Sequence, residues 1–430
     1  MGIQKRRIIR PIGVSGPTSV SVAFSSAVSI NPSPISHCSL VFDQAFGARS
    51  FLPPYPSEPD LWQTHFMTKA TAAVLQEVGG NLTIEQIDVD NPMPNEVLVR
   101  TAACGVCHSD LHFMQGSIGG PTPTVPGHEP AGVVEAVGSD VRSVKVGDHV
   151  IACTSMFCGS CKQCMLGRTH LCSDRRYCMR PKDAPPRLSL DGVPLKQFAD
   201  LSGFSEMMLL HERAVVKIDD DIPLDRAALI GCAVTTGVGA ALNTAQVAPG
   251  SSVVVFGCGG VGASVIQGAR IAGARQIIAI DLLEHKLESA RHFGATHTIM
   301  PGDESVVRQI KSMSGGGVDF AFDAVGNADI AASCFYALAP RGKAVIVGAI
   351  PQGQKLTLDP GHLYVEKTLT GSIMGSNRFH IDAPHYLELY RQGRLDLDAM
   401  IDVRRPLTEI DAALADLEAG AVTRSVIMFD

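Results

Sequence analysis

The stretch Val253-Val254-Val255-Phe256-Gly257-Cys258-Gly259-Gly260-Val261-Gly262, followed by Asp281 nineteen residues on, decides how this chain is read. A short apolar β-branched run meets a G-x-G-x-x-G turn. The small-residue stretch 260–272 follows, so the pattern predicts strand, tight turn and helix. Alone, the glycine pattern is weak evidence. Here an acid also ends the next apolar run, 277–281, and that context predicts a dinucleotide site. Gly257, Gly259, Gly260, Val261 and Gly262 let backbone approach a pyrophosphate at the positive end of a helix. Asp281 can accept both hydroxyls of an adenosine ribose and repels a 2′-phosphate, so NAD is expected over NADP.

Working outward, 283–293 has helical spacing and 320–325 and 344–347 read as strands. Strands alternating with helices predict a parallel sheet. Before about Thr235 the rhythm differs. Residues 70–75, 96–102, 132–137 and 149–152 are apolar or alternating runs broken by glycine, which predicts a β-rich domain. The last 55 residues are expected to return to mixed turns, with one helix at 411–418 and a terminal strand at 425–429.

Composition narrows the classes. The 430 residues are 45% hydrophobic and 18% charged, which is globular usage rather than that of a mainly disordered chain. A net charge of −7 supplies no global basic field for nucleic acid. No unbroken run of about 18 apolar residues occurs, so no membrane span is expected. Twelve cysteines are too sparse for a small disulfide scaffold.

Four of those cysteines are clustered: Cys158-Gly-Ser-Cys161-Lys-Gln-Cys164, then Cys172. The spacing suits one tetrahedral Zn²⁺ in an S₄ site with no open position, hence a structural site. An iron–sulfur cluster competes, but no proline follows the last cysteine and no second cluster motif exists. Upstream stand Cys107-His108-Ser109-Asp110-Leu111-His112 and Gly127-His128-Glu129, and downstream Gly231-Cys232. Two thiolates and an imidazole suit Zn²⁺ with a fourth position open for water or substrate. Taken singly, His128 reads as a turn histidine and Cys232 as a core thiol; the combination carries the argument. Asp110 and Glu129 are candidates for carboxylates standing behind the ligands, one of them fixing the tautomer of His128.

In their order and spacing these motifs resemble the zinc-dependent medium-chain alcohol dehydrogenases, over about residues 67–430. The resemblance implies a GroES-like β-barrel catalytic domain (67–233 and 374–430) and a doubly wound Rossmann coenzyme domain (234–373), an α/β plus β architecture. It implies NAD(P)-dependent oxidation of an alcohol or reduction of a carbonyl, with NAD favoured by Asp281, and two zinc ions per chain. Cys107, His128 and Cys232 would hold the catalytic zinc; Cys158, Cys161, Cys164 and Cys172 the structural one. Ser109 and His112 match the proton-relay positions. Lys286 would lie on the adenosine ribose, with Arg424 and His108 at the pyrophosphate. The long segment between Cys172 and Gly231 resembles the dimeric branch, so a homodimer is expected. Arg176 falls where the glutathione-dependent formaldehyde branch binds a glutathione carboxylate, but Ile118 replaces that branch's acid for the glutathione amine. Thr154 stands where relatives place an aromatic wall. This leaves room for a bulky or aromatic primary alcohol touching Ile118 and Phe198, with the glutathione adduct as the alternative. A relative that had lost its chemistry and only binds would lack one of the three catalytic ligands; all three are present. Partners are thus a small-molecule alcohol or aldehyde, with no nucleic acid and no membrane. Reduced thiol ligands point to the cytoplasm.

Residues 1–66 read differently. Arginine, serine and proline are dense and no periodicity is sustained, which fits an upstream mis-start before Met67 or a targeting segment. Deleting them is expected to change neither turnover nor thermal midpoint, checked by assaying and melting the chain started at Met67. A lower midpoint would show that the extension packs on the enzyme.

Overall fold

The computed structural model describes residues 67–430; the mis-start or targeting segment read in 1–66 lies outside the described residues. Ser252–Phe256 is wholly buried and forms the inner strand of a six-stranded sheet. The order in space is His297–Ile299, Gln276–Ile280, Ser252–Phe256, Val318–Asp323, Leu338–Ile346 and Thr368–Gly371, and every pair is parallel. Burial on both faces explains why the central strands read as unbroken Val/Ile runs instead of alternating. The chain steps outward on one side of Ser252–Phe256 and then returns to its other side. That reversal opens a crevice at the strand's carboxyl end, beside the glycine turn.

The β-rich part contains a closed barrel of Thr68–Leu75, Leu82–Val89, Leu188–Leu190, Val193–Gln197 and Thr124–Val125. Beside it, Val215–Ile218, His149–Ala152, Glu129–Val137, Glu96–Gly105, Ser425–Met428 and Val403–Pro406 form a second sheet, with Met207–His211 paired to Glu96–Gly105. The C-terminal strand pairs antiparallel with Glu96–Gly105, Val426 opposite Gly105. This register carries Arg424 to the residues that lead into Cys107.

A helical run, Leu224–Ala245, crosses between the two parts, so the boundary placed at 233/234 falls inside it. By length and composition it could span a membrane, but 83% of its most apolar window is buried in the protein, as in a core helix. One cluster of buried side chains, including Ile151, Val234, Val265 and Tyr386, is continuous across both parts.

The single helix expected in the last 55 residues is incomplete: Phe379–Arg391 is a second one. Pro384 inside it and the polar His380, Asp382 and His385 obscure the 3.6-residue period. Its buried face, including Phe379, Ala383, Tyr386 and Leu387, nonetheless packs into the core. Tertiary burial outweighs the local cost of the proline.

A nearly dry ion network fastens the segment after the cysteine lobe to the barrel. Arg180 meets Glu96 at 2.6 Å and Asp90 at 2.6 Å, and Arg187 meets Glu96 at 2.7 Å. Burial pushes the Glu96 carboxyl up, but hydrogen bonds and charge from Arg180 and Arg187 outweigh this and hold it below the ordinary value. Its stabilisation is therefore present above about pH 4.5 and is lost as pH falls through the lowered folded value. Arg180→Met should cost about 3 kcal/mol, because Glu96 stays buried with one partner fewer. Urea unfolding of both proteins from pH 7 to pH 3 should show that gap shrinking in acid.

Candidate metal and dinucleotide site

Glu96–Gly105 delivers the chain to Cys107, which caps the short helix His108–Met114. Asp110 in that helix is completely buried and acts three ways. Its carboxylate accepts from the Cys107 N–H at 3.3 Å and the Gly127 N–H at 3.0 Å, and lies 3.0 Å from His128 Nδ1. One side chain thus fixes two loops and the imidazole, leaving Nε2 free to act as a ligand. Cys232 arrives from the other part of the molecule, on the π-turn Ile230–Val234 of the buried helical run. Ligand atoms of Cys107, His128, Glu129 and Cys232 all lie within 4.8 Å of one another, and all four residues are buried.

The electrostatics suit a cation. A hydrogen bond from Cys232, with the charges of Arg424 and His128, holds the Cys107 thiol well below its ordinary value despite burial. Burial opposes charge on His128, but Asp110 and Cys107 outweigh it and raise its pKa. Burial lifts the Glu129 carboxyl to about 8 against the pull of Arg424. Among the described residues, neither Glu129 carboxylate oxygen has a hydrogen-bond partner. Two thiols, an imidazole and a carboxylate that accepts no hydrogen bond, packed this closely out of water, fit a divalent zinc ion.

The cysteine lobe fits a second one. Cys158, Cys161, Cys164 and Cys172 converge within the same 4.8 Å limit. Sγ of Cys164 lies 3.9 Å from that of Cys158 and 3.5 Å from that of Cys161. These bracket the roughly 3.8 Å edge that tetrahedral Zn–S bonds of about 2.3 Å require. Backbone N–H groups of Ser160 and Cys161 point at the Cys158 sulfur at 3.4 and 3.2 Å, and that of Cys158 at Cys172 at 3.2 Å. Backbone hydrogen bonds of Cys164 and Ser173 bring the Cys161 thiol down to about 5. Burial and the neighbouring sulfurs push the Cys164 thiol the other way, up to about 12, so the four sulfurs crowd negative charge that a cation would relieve.

At the glycine turn, Gly257 adopts φ +87°. A Cβ on Gly262 would collide with the Gly257 carbonyl, so the helix starts tight against the strand. Asp281 lies at the mouth of the loop, its two oxygens accepting from the N–H groups of Cys258 at 2.8 Å and Leu283 at 3.1 Å. Lys286 is buried in the first turn of Glu284–Phe293. The Arg424 guanidinium lies over Gly260, close enough that a Cβ there would strike it. His108 keeps an open side. Desolvation, helped by the charges of Arg424 and Lys286, lowers its pKa against the pull of Cys107. These cations and the helix start converge on one place for an anion.

Ser109 and His112 stand one turn apart on the same helix face, both half-buried, with the His108 and His112 rings 6.2 Å apart. Phe198 meets His128 edge to face at 5.5 Å and stacks on Phe113 at 4.6 Å. Phe113 was not foreseen: one phenylalanine in a seven-residue helix has no periodic partner to mark it. Arg176 is exposed, and its guanidinium is bonded to Asp174 at 2.9 and 3.3 Å.

Metal analysis should find two zinc ions per chain, one readily removed by a chelator and one retained. Cys161→Ser should lower the yield of folded protein, since binding energy at a closed site is folding energy. Cys107→Ser should leave the circular dichroism spectrum unchanged. One zinc per chain, or iron in the lobe, would contradict the two-site reading.

The chain matches the family described as alcohol dehydrogenase GroES-like domain over residues 93–220, and zinc-binding dehydrogenase over residues 260–390. It is 39% identical over 373 residues to the S-(hydroxymethyl)glutathione dehydrogenase of Saccharomyces cerevisiae, covering 84% of this chain and 97% of that one. The protein of the same name from Paracoccus denitrificans is 37% identical over 84% of this chain and its own full length. Among solved structures, the benzyl alcohol dehydrogenase of Acinetobacter calcoaceticus superposes with a TM-score of 0.80 at 33% identity, over 84% of this chain and 100% of that one. With the parallel sheet, the barrel and two sets of metal-ligating side chains in place, these likenesses make the chain a member of the zinc-dependent alcohol dehydrogenase family, oxidoreductases that bind zinc and a nicotinamide dinucleotide.

Proposed function

We propose that the protein carries out NAD-linked, reversible oxidation of a bulky or aromatic primary alcohol to its aldehyde. The observation that carries this reading is the Phe198 ring set edge to face against His128. An aromatic wall thus borders the donor set formed by Cys107, His128 and Cys232. Bound zinc supplies Lewis acidity that lowers the alcohol's pKa, and NAD supplies the hydride acceptor. Cys107, His128 and Cys232 hold the metal, with Asp110 fixing the imidazole and Glu129 balancing charge behind it. The Ser109 hydroxyl accepts the hydrogen bond of the departing alcohol proton, and His112 passes that proton to solvent. The glycine turn, Lys286, His108 and Arg424 hold the dinucleotide. Asp281 favours a free ribose over a 2′-phosphate.

The second reading, an S-(hydroxymethyl)glutathione dehydrogenase, is favoured by the names of the relatives from Saccharomyces cerevisiae and Paracoccus denitrificans. Against it, Ile118 cannot hold an ammonium group and Arg176 already faces Asp174. That exposed pair is weak and could be displaced, so only Ile118 argues strongly. A homodimer fits this reading. Thr368–Gly371 is the sheet's outermost strand, and Leu363, Tyr364 and Val365 just before it are exposed. A cytoplasmic setting fits the reduced thiols that both metal sites need.

NADH absorbance should rise with benzyl alcohol and NAD, and formaldehyde with glutathione should be the poorer couple by kcat/KM. A glutathione adduct preferred over every simple alcohol would establish the second reading instead. Asp281→Gly should narrow the NAD to NADP ratio of kcat/KM by about tenfold or more, the worth of one charged contact. Equal use of both coenzymes before mutation would remove Asp281 from that role.

A further inference from the structure

Just after Phe198 the backbone does something unusual. Ala199 has φ 55° and ψ 23°, Asp200 has φ 63° and Ser202 has φ 71°. Three non-glycine residues within four positions thus occupy the left-handed region. Each costs free energy there and persists only when its surroundings impose it.

The imposing group is Gln197. Its amide nitrogen reaches the Leu201 carbonyl at 3.1 Å, the Ser202 hydroxyl at 3.0 Å and the Leu209 carbonyl at 3.2 Å. Two amide protons are shared among three acceptors, two of them in the strained turn and one on the strand Met207–His211. The amide oxygen accepts from Arg187 at 3.3 Å, so the buried ion network holds the other end of the side chain. Ser202 closes the turn onto the Leu201 carbonyl. Past the turn, the N–H groups of Gly203 and Phe204 donate to Gly127 at 2.6 Å and Pro126 at 3.0 Å, the residues that lead into His128. The segment therefore grips the His128 loop twice, by backbone at 203–204 and by the ring of Phe198.

We infer that Gln197 is a positioning residue for substrate selection: it holds the left-handed turn 199–202 closed, and the turn sets the Phe198 ring against Phe113 and His128. Gln197 touches no reacting atom. Its influence passes through the angle of the aromatic wall, which an aromatic substrate meets and a two-carbon alcohol does not. This inference rests on the aromatic-alcohol reading for its kinetic consequence, but not for its structural one.

The test compares Gln197→Met, of similar length without hydrogen bonds, with the triple variant Gln197→Met, Ala199→Gly, Asp200→Gly. Glycine adopts positive φ without a clamp, so the triple variant should recover what the single one loses. Hydrogen exchange on the whole zinc-loaded protein reads the turn directly. Amide protection at 201–204 should fall at least about tenfold in Gln197→Met and largely return in the triple variant. In kinetics, KM for benzyl alcohol should rise about tenfold with kcat nearly kept, while KM for ethanol stays within about twofold. Unchanged protection, or equal loss for both alcohols, overturns the proposal. If the unmodified enzyme oxidises neither alcohol, the functional reading fails while the exchange data still judge the clamp. If Gln197→Met is insoluble, a soluble and protected triple variant supports the clamp. Insolubility of both makes Gln197 a residue of the general fold and overturns its positioning role.

Discussion

A single buried guanidinium joins the parts of this protein that do its chemistry. Arg424 is 2% exposed, at the start of the C-terminal strand. It donates to the Val106 carbonyl at 2.8 Å, pairs with Glu129 at 3.2 Å and lies over Gly260 at the dinucleotide helix. A cation this deep is tolerable only beside anions. The acidic Cys107 thiol supplies one, and the Glu129 carboxyl, when ionised, a second; the charges of both favour the protonated guanidinium. The metal loop, the glycine turn and the chain terminus are thereby held to one another around one charge.

The same economy governs the metal donors. Cys107, His128 and Cys232 come from a helix start, a turn and a π-turn, three structures that share no local pattern. Asp110 removes most of the freedom of the first two by bonding to both loops and to the imidazole. The third is placed by the buried π-helical turn that carries it and by its hydrogen bond to Cys107. A site assembled this way is pre-organised: the entropy of bringing its donors together is lost in folding rather than in binding metal or substrate.

Around this centre the supports are graded by chemistry. The Arg180–Glu96–Arg187 network is ionic and nearly dry, and it ends on Gln197. From there the contact becomes hydrogen-bonded, through the strained turn, and finally aromatic, at Phe198 and His128. Ionic contacts thus lead, link by link, to the ring that stands against the metal-ligating imidazole.

What the sequence determined by itself was whatever is encoded locally. G-x-G-x-x-G with Asp281 and the four-cysteine spacing are legible because their geometry closes within a few residues or one βαβ unit. The parallel sheet followed from strands alternating with helices, and a β-rich domain from glycine-punctuated runs; that it closes into a barrel was implied only by the family resemblance. Tertiary structure alone decided what depends on distant segments meeting. Arg424 reaches Val106 across 318 positions, and no periodicity announces that contact. Cys232 is legible as a ligand only in the company of the other motifs, and it needs the buried helix around it to reach Cys107. Helix Phe379–Arg391 was hidden by its own proline and emerges because its apolar face has a core to fill. The left-handed turn after Phe198 contradicts every local preference of Ala, Asp and Ser, and it exists because Gln197 and the neighbouring strand hold it. Local preference is worth tenths of a kcal/mol to about one per residue. Burial and hydrogen bonds across the fold, summed over many contacts, exceed that wherever the two disagree.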